Sequence, residues 1–381
     1  MDFIHTVGVG FIRWIQGFPN LEPLMIHTSH IGSPLMSYTL VFPAAYYINP
    51  ILGVLTMLCA SFSEWLSGIA KWVLHGHRPY WWVDLHAMTS HTSVTPIKQF
   101  SITCETGPGS PSGHCMITLA SLVPLVLYLR QSLPSVFRLR RTRFYGDLVL
   151  CTFGCFAIIL GLSRCYVAAH FPHQVLAGIL SGVMLGYAFA EFFQILRIAN
   201  TTTRLSLVPK PTGWLVRWVR NPISFLWLGF GSFALASAFA WFLRTVMKVD
   251  VNWSIVLAKR SCHRPEWVHL SSSLMVGFAR IAGYLSGLAL ALLLNPPSDS
   301  LLATSAIRWC VVFMAGVAVL STKLFERACQ RAFFSLLFPL FPSSNTATPG
   351  TVLLITSVAQ GSVGPVLSVW ILPKLFSLFG I

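Results

Sequence analysis

Charge is scarce in this chain. Only 10% of its 381 residues are Asp, Glu, Lys or Arg and 55% are hydrophobic, whereas soluble domains are roughly a quarter charged. The deficit excludes a soluble fold, which has no means of burying so much apolar surface, and leaves a polytopic membrane protein. Acidic residues are scarcest: 11 Asp and Glu stand against 26 Lys and Arg, for a net charge of +15. In a soluble chain that excess points to nucleic acid. Here the basic residues lie mostly between apolar stretches, where they act as topology signals and anion ligands, so no nucleic-acid partner is expected. The nine cysteines contain no C-x-x-C pair, which removes the zinc and redox signatures built on that spacing. Cys104 and Cys262 could form a disulfide on the non-cytosolic side, although free thiols are the favoured reading. The first thirty residues lack a basic n-region and an A-x-A site, so they do not read as a removed signal peptide. Ile4, Val7, Phe11, Trp14, Ile15 and Phe18 fall near one helical face, which suits an interfacial helix or, equally, a frayed terminus.

What is present is a series of apolar stretches, near residues 33–47, 51–72, 114–129, 146–162, 172–195, 223–246, 273–294, 301–320 and 352–372. Each approaches the length needed to cross about 30 Å of hydrocarbon. The expected fold class is therefore all-α, a polytopic membrane helical bundle of about nine transmembrane helices, with 1–381 forming one integral-membrane domain. Within it, 51–195 reads as the catalytic core and 223–381 as additional C-terminal spans. The first span is short and contains Pro43, and the apolar piece 332–340 is unassigned. No soluble insert and no internal repeat interrupts the series. The loops holding Arg130, Arg138, Arg140, Arg141 and Arg143, then Arg197, Arg204, Lys210, Arg217 and Arg220, are assigned to the cytosol. The loop with Arg244, Lys248, Lys259, Arg260 and Arg264 is equally basic and falls on the other side. Histidine supports the assignment: all twelve, from His5 to His269, lie on or near the non-cytosolic face. The sequon at Asn252 should then face away from the cytosol, and the one at Asn200 towards it.

Three short segments carry the chemistry: Lys71-x6-Arg78-Pro79, Pro111-Ser112-Gly113-His114 and Ser163-Arg164-x5-His170. Counting crossings brings all three to one rim. There, Arg78 and Arg164 can fork onto phosphate oxygens and Lys71 adds a compact charge. The Gly/Pro/Ser turn from Gly107 enters a helix at about His114, and free N–H groups at such a helix start favour an anion; the bland alternative is a structural loop. One imidazole can attack phosphorus while the other protonates the leaving oxygen. No metal and no cofactor is needed; His75, His77, His86 and His91 lack a recognised zinc spacing. Glu64 lies seven residues before Lys71, on nearly the same helical face. It either orients the cluster or, the favoured reading, hydrogen-bonds a neighbouring helix. Trp81 and Trp82 can stack on a sugar ring or, more commonly, form part of an interfacial belt.

With these residues the chain resembles the phosphatidic acid phosphatase type 2 / haloperoxidase superfamily, whose pattern is K-x6-RP, PSGH and SR-x5-H-x3-D. More narrowly, HRPYWWV, CETGPGSPSGH and SR-x5-HFPHQV resemble the glucose-6-phosphatase catalytic subunit family. Similarity runs from about Phe42 to Leu294, and FPAAYY and SPSGHCMIT resemble most its ubiquitously expressed branch. The resemblance implies His170 as nucleophile and His114 as proton donor, with Lys71, Arg78, Ser112, Gly113 and Arg164 as phosphate ligands. It also implies nine spans in the endoplasmic reticulum membrane, a lumenal active site, glucose 6-phosphate as substrate, and a glucose 6-phosphate transporter as functional partner. Where the superfamily places an aspartate to orient the nucleophile, this chain has Gln174, a glutamine that glucose-6-phosphatases share. Ser33 stands where related enzymes often carry an aspartate, and the Phe-Gly-Ile terminus lacks a di-lysine retrieval signal. Rival readings are a phosphatase of a lipid or anhydrohexitol phosphate and, in another class, a transporter or inactive binding paralogue.

Overall fold

The computed structural model describes residues 2–90, 96–136, 142–202, 221–295 and 348–374, with the isolated residues 218 and 320. Among these there is no strand, only a single β-bridge between Glu105 and His269. The helices are α1 (Asp2–Gln16), α2 (Glu22–Ile31), α3 (Pro34–Met36), α4 (Phe42–Ile48), α5 (Pro50–Leu74), α6 (Pro79–Ser90), α7 (Gly113–Val136), α8 (Thr142–Tyr166), α9 (Pro172–Thr202), α10 (Pro222–Thr245), α11 (Trp253–Ser261), α12 (Leu274–Leu294) and α13 (Thr348–Val366).

Local chemistry sets the starts of the long helices. Asn49 caps α5 by accepting from the N–H groups of Ile51 and Leu52, and Pro50 occupies the first turn, where no N–H is missed. Asn221 and Pro222 repeat the device at α10. Proline also opens α6 and α9. At its far end α5 stops on His75, which adopts a left-handed conformation with φ of 48°. Packing of α9 on α7 uses Gly182 and Gly186, one turn apart. A Cβ on Gly182 would stand 2.5 Å from the Met116 carbonyl oxygen, so only glycine permits this approach.

Seven of the described helices are long and apolar enough to cross a membrane. The expected first span is present but is not among them. Pro34–Met36, a π-helical turn at Ser37–Val41 and α4 run on as one interrupted piece, about 22 Å at 1.5 Å per residue and so short of the hydrocarbon thickness. The expected span at 301–320 lies outside the described residues, as do 332–340, His91, and most of the two loops assigned to the cytosol: Arg138, Arg140, Arg141, Arg204, Lys210, Arg217 and Arg220.

Two features decide between alternatives that the sequence leaves open. Cys104 and Cys262 form a disulfide across 158 residues of sequence. The loop ahead of α7 and the segment after α11 run side by side, which sequence spacing alone does not reveal. At the N-terminus α1 is a formed helix rather than a frayed end. His5, Gly8, Val9, Ile12 and Ile15 are buried, while Ile4, Val7, Trp14 and Phe18 remain on its outer side. The His5 ring stacks on Phe171, with centroids 4.4 Å apart.

Candidate active site

Five helix ends and one loop meet at one end of the bundle. Lys71 lies near the end of α5, Arg78 just before α6, His114 at the start of α7, Arg164 near the end of α8, and His170 in the turn before α9. The loop is the segment from Cys104 to Ser112. Its carbonyls do the positioning: Arg78 donates from Nε to Gly107 O (2.7 Å), from Nη2 to Pro108 O (3.3 Å) and from Nη1 to Ala169 O (3.0 Å). Two of the loop's amides are satisfied internally, Gly109 N by Gly76 O and Ser112 N by Gln174 O. The Gly/Pro/Ser turn therefore supplies acceptors that aim the guanidinium, and its Gly109 and Ser112 amides are already bonded.

The group that orients His170 is a backbone carbonyl. Nδ1 of His170 lies 2.7 Å from Gly109 O, and a carbonyl only accepts, so Nδ1 carries the proton. Nε2 is left with its lone pair, and Arg78 Nη1 approaches it at 3.3 Å. Burial, then the Arg78 guanidinium, holds the His170 pKa well below the usual imidazole range. Gln174 spends its side-chain hydrogen bonds elsewhere. Its side chain donates to His77 O (2.7 Å) and accepts from Phe171 N (3.2 Å), bracing the turn that carries His170.

A residue that the motif reading missed stands at the centre. Glu105 places its carboxylate between the two arginines: Oε2 is 3.0 Å from Arg78 Nη2, and Oε1 pairs with Arg164 Nη2. Oε1 also lies 3.6 Å from His114 Nδ1, and Oε2 lies 3.9 Å from His170 Nε2. Burial alone would raise its pKa, but the Arg164 and Arg78 guanidiniums outweigh that and hold the carboxyl well below the usual range. Glu105 is anchored by its neighbours: His269 N donates to Cys104 O, Thr106 N donates to Ser272 Oγ, and the Cys104–Cys262 bridge ties the same strip. Its signal in the sequence was its rarity, one of 11 acids, inside the very stretch that leads to His114.

Lys71, Gly113, His114, Arg164 and Glu105 line one wall of a cavity of about 390 Å³. Glu64 and Arg280 line its other reach. There Arg280 Nη2 pairs with Glu64 Oε1 at 2.6 Å, and Tyr38 donates to Oε2 at 2.7 Å. Glu64 thus bonds to neighbouring elements rather than to Lys71. Ser112 is fully buried against Gly178 of α9 and does not line this cavity. Trp81 and Trp82 are buried as well, neither in a belt nor beside the cavity. Trp81 donates to His77 Nδ1 (3.2 Å) and lies 6.0 Å from the Arg78 guanidinium, while Trp82 stacks on His86.

Paired arginines around an anion, two imidazoles and an all-helical membrane fold define a class, and comparison with known proteins gives the same one. The profile of the PAP2 superfamily matches residues 50–198. Glucose-6-phosphatase 3 of Mus musculus is 35% identical, covering 77% of this chain and 77% of its own length, and its Bos taurus counterpart is 37% identical with the same coverage. Glucose-6-phosphatase catalytic subunit 1 of Canis lupus familiaris is 35% identical over 77% of this chain and 76% of its own. No solved structure matches. The protein is a multi-pass membrane phosphatase of the PAP2 superfamily. Within that superfamily the chain belongs to the glucose-6-phosphatase family.

Proposed function

We propose that this protein hydrolyses glucose 6-phosphate to glucose and inorganic phosphate through a phosphohistidine at His170. The observation that carries the reading is the Glu105 carboxylate, an anion gripped by Arg78 and Arg164 with His170 Nε2 and His114 Nδ1 both facing it. A phosphate in its place would meet cations, a lone pair and a proton donor at once. Three cationic side chains, Lys71, Arg78 and Arg164, surround that position against one carboxylate. The surplus suits a dianion, and Glu105 must yield to it.

Nε2 of His170 attacks phosphorus, and the bond from phosphorus to the sugar O6 breaks as His114 delivers its proton to O6. Glucose leaves. His114, now a base, takes a proton from water, whose oxygen attacks phosphorus and breaks the P–N bond, releasing phosphate and restoring neutral His170. The guanidiniums hold charge on the equatorial oxygens in both steps. Gly113 brings the start of α7 beside Lys71, and a Cβ there would stand 3.6 Å from Nζ. Ser112 acts from behind, through the backbone that sets His114.

Family membership supports the remaining assignments: the endoplasmic reticulum membrane, a lumenal site, a role in gluconeogenesis and glucose homeostasis, and a glucose 6-phosphate transporter as supplier. The core at 51–195 would carry the catalytic residues and 223–381 would complete the pocket. A glycan on Asn200 would reverse the orientation. Purified full-length protein given glucose 6-phosphate, an anhydrohexitol phosphate and a lipid phosphate tests the substrate. Highest kcat/KM for glucose 6-phosphate is expected; a preference for lipid phosphate, or no phosphate release, would overturn the reading.

A further inference from the structure

We propose that the Glu64–Arg280 ion pair is the sugar-recognising subsite of this cavity, gripping ring hydroxyls of a hexose whose phosphate sits at Lys71 and Arg164. The inference rests on the glucose 6-phosphate reading and names residues outside the three motifs. Glu64 and Lys71 share one face of α5, seven residues apart and so about 10 Å along its axis. Both line the same cavity, so a phosphate bound at one end leaves the rest of its ester pointing at the pair.

The chemistry of the pair matches a polyol. A hydroxyl both donates and accepts, and a carboxylate beside a guanidinium offers acceptor and donor side by side. Charge here is balanced one to one, unlike the cationic surplus at the phosphate end, so a neutral hydroxylated ligand fits better than a second anion. Arg280 also keeps an unused donor, since its buried Nε has no hydrogen-bond partner among the described residues. A buried donor left unmet is destabilising, and a ligand hydroxyl relieves it. Around the pair the wall continues polar with Ser67, Ser357 and Gln360. Gly277 keeps the floor open: a Cβ there would stand 3.3 Å from Glu64 Oε1.

The test compares glucose 6-phosphate with phenyl phosphate, which shares the phosphoester and lacks hydroxyls. In purified full-length protein, Glu64→Gln and Arg280→Lys should each lower the ratio of the two kcat/KM values by about 30-fold or more, because a site built for hydroxyls discriminates strongly. Gly277→Ala, which leaves the pair intact, should lower the same ratio through a raised KM for the sugar phosphate; it decides the matter if the pair variants do not fold. A ratio within threefold of wild type in the folded variants overturns the subsite while leaving the substrate reading standing. Wild-type protein that cleaves phenyl phosphate but no hexose phosphate overturns both.

Discussion

Two glutamates lining the cavity pair with arginine, and their surroundings set them apart. Glu105 faces two guanidiniums and two imidazoles, with Lys71 on the same cavity wall. Glu64 faces one guanidinium and one phenol. The first cluster is oversupplied with positive charge, the second is closed. Surplus charge is what allows a carboxylate to be exchanged for a phosphate dianion. A closed pair has no such incentive, and it serves to join α5 to α12 and to present paired donors and acceptors to a neutral partner.

That contrast can be broken most forcefully at Arg164. Arg164→Ala should lower kcat/KM by about 10²- to 10³-fold, the usual loss when a preorganised charge partner of the transition state is removed. It should also cost about 3–5 kcal/mol of stability, read as a lower melting temperature in detergent, because Glu105 is left buried with one guanidinium. The second cluster should answer differently. Tyr38→Phe removes the donor to Glu64 Oε2 and should cost about 1.5–3 kcal/mol of stability, with turnover of phenyl phosphate falling far less than in Arg164→Ala. Glu105→Gln sharpens the comparison in the opposite direction. If the carboxylate competes with substrate phosphate, its neutralisation should tighten inhibition by inorganic phosphate or vanadate about tenfold, roughly 1.4 kcal/mol. Tenfold weaker inhibition would instead make Glu105 a permanent part of the anion site.

The smallest effect is one of pH. Burial, then Arg78, holds the His170 pKa well below the ordinary imidazole value of about 6.5. The neutral nucleophile is therefore fully present at and above pH 6.5, and is lost only as pH falls through the lower folded value. The acid limb of kcat/KM that disappears in His170 variants should have its midpoint below 6.5; one at or above 6.5 would mean that the imidazole is not held neutral.

Much of this site was legible in the sequence because phosphate chemistry demands particular residue types at helix ends, and Arg78, His114, Arg164 and His170 stand where the three motifs put them. What remained hidden depended on contacts between distant segments. Glu105 belongs to no spacing rule, since its partners lie 27 residues behind and 59 ahead. Arg280, 216 residues from Glu64, could not be linked to it by any periodicity. The group that orients His170 stayed open because Gln174 replaces the superfamily's aspartate, and the structure uses the Gly109 carbonyl, which every residue type carries. Trp81 and Trp82 misled for a related reason: aromatic residues near a membrane end look interfacial until the fold packs α1 and α11 over them. The stretch at 33–47 forms a helical run from Pro34 to Ile48 that ends at Asn49, the cap of α5, and is too short to stand among the seven long apolar helices.

The central claim is the covalent step at His170, and the direct measurement is phosphoenzyme trapping. Purified protein mixed with glucose 6-phosphate labelled at phosphorus, quenched in alkaline detergent and mapped by peptide mass should carry one base-stable, acid-labile phosphate on His170, absent from His170→Ala. Label on another residue, or full turnover in His170→Ala with no trapped phosphate, would contradict it.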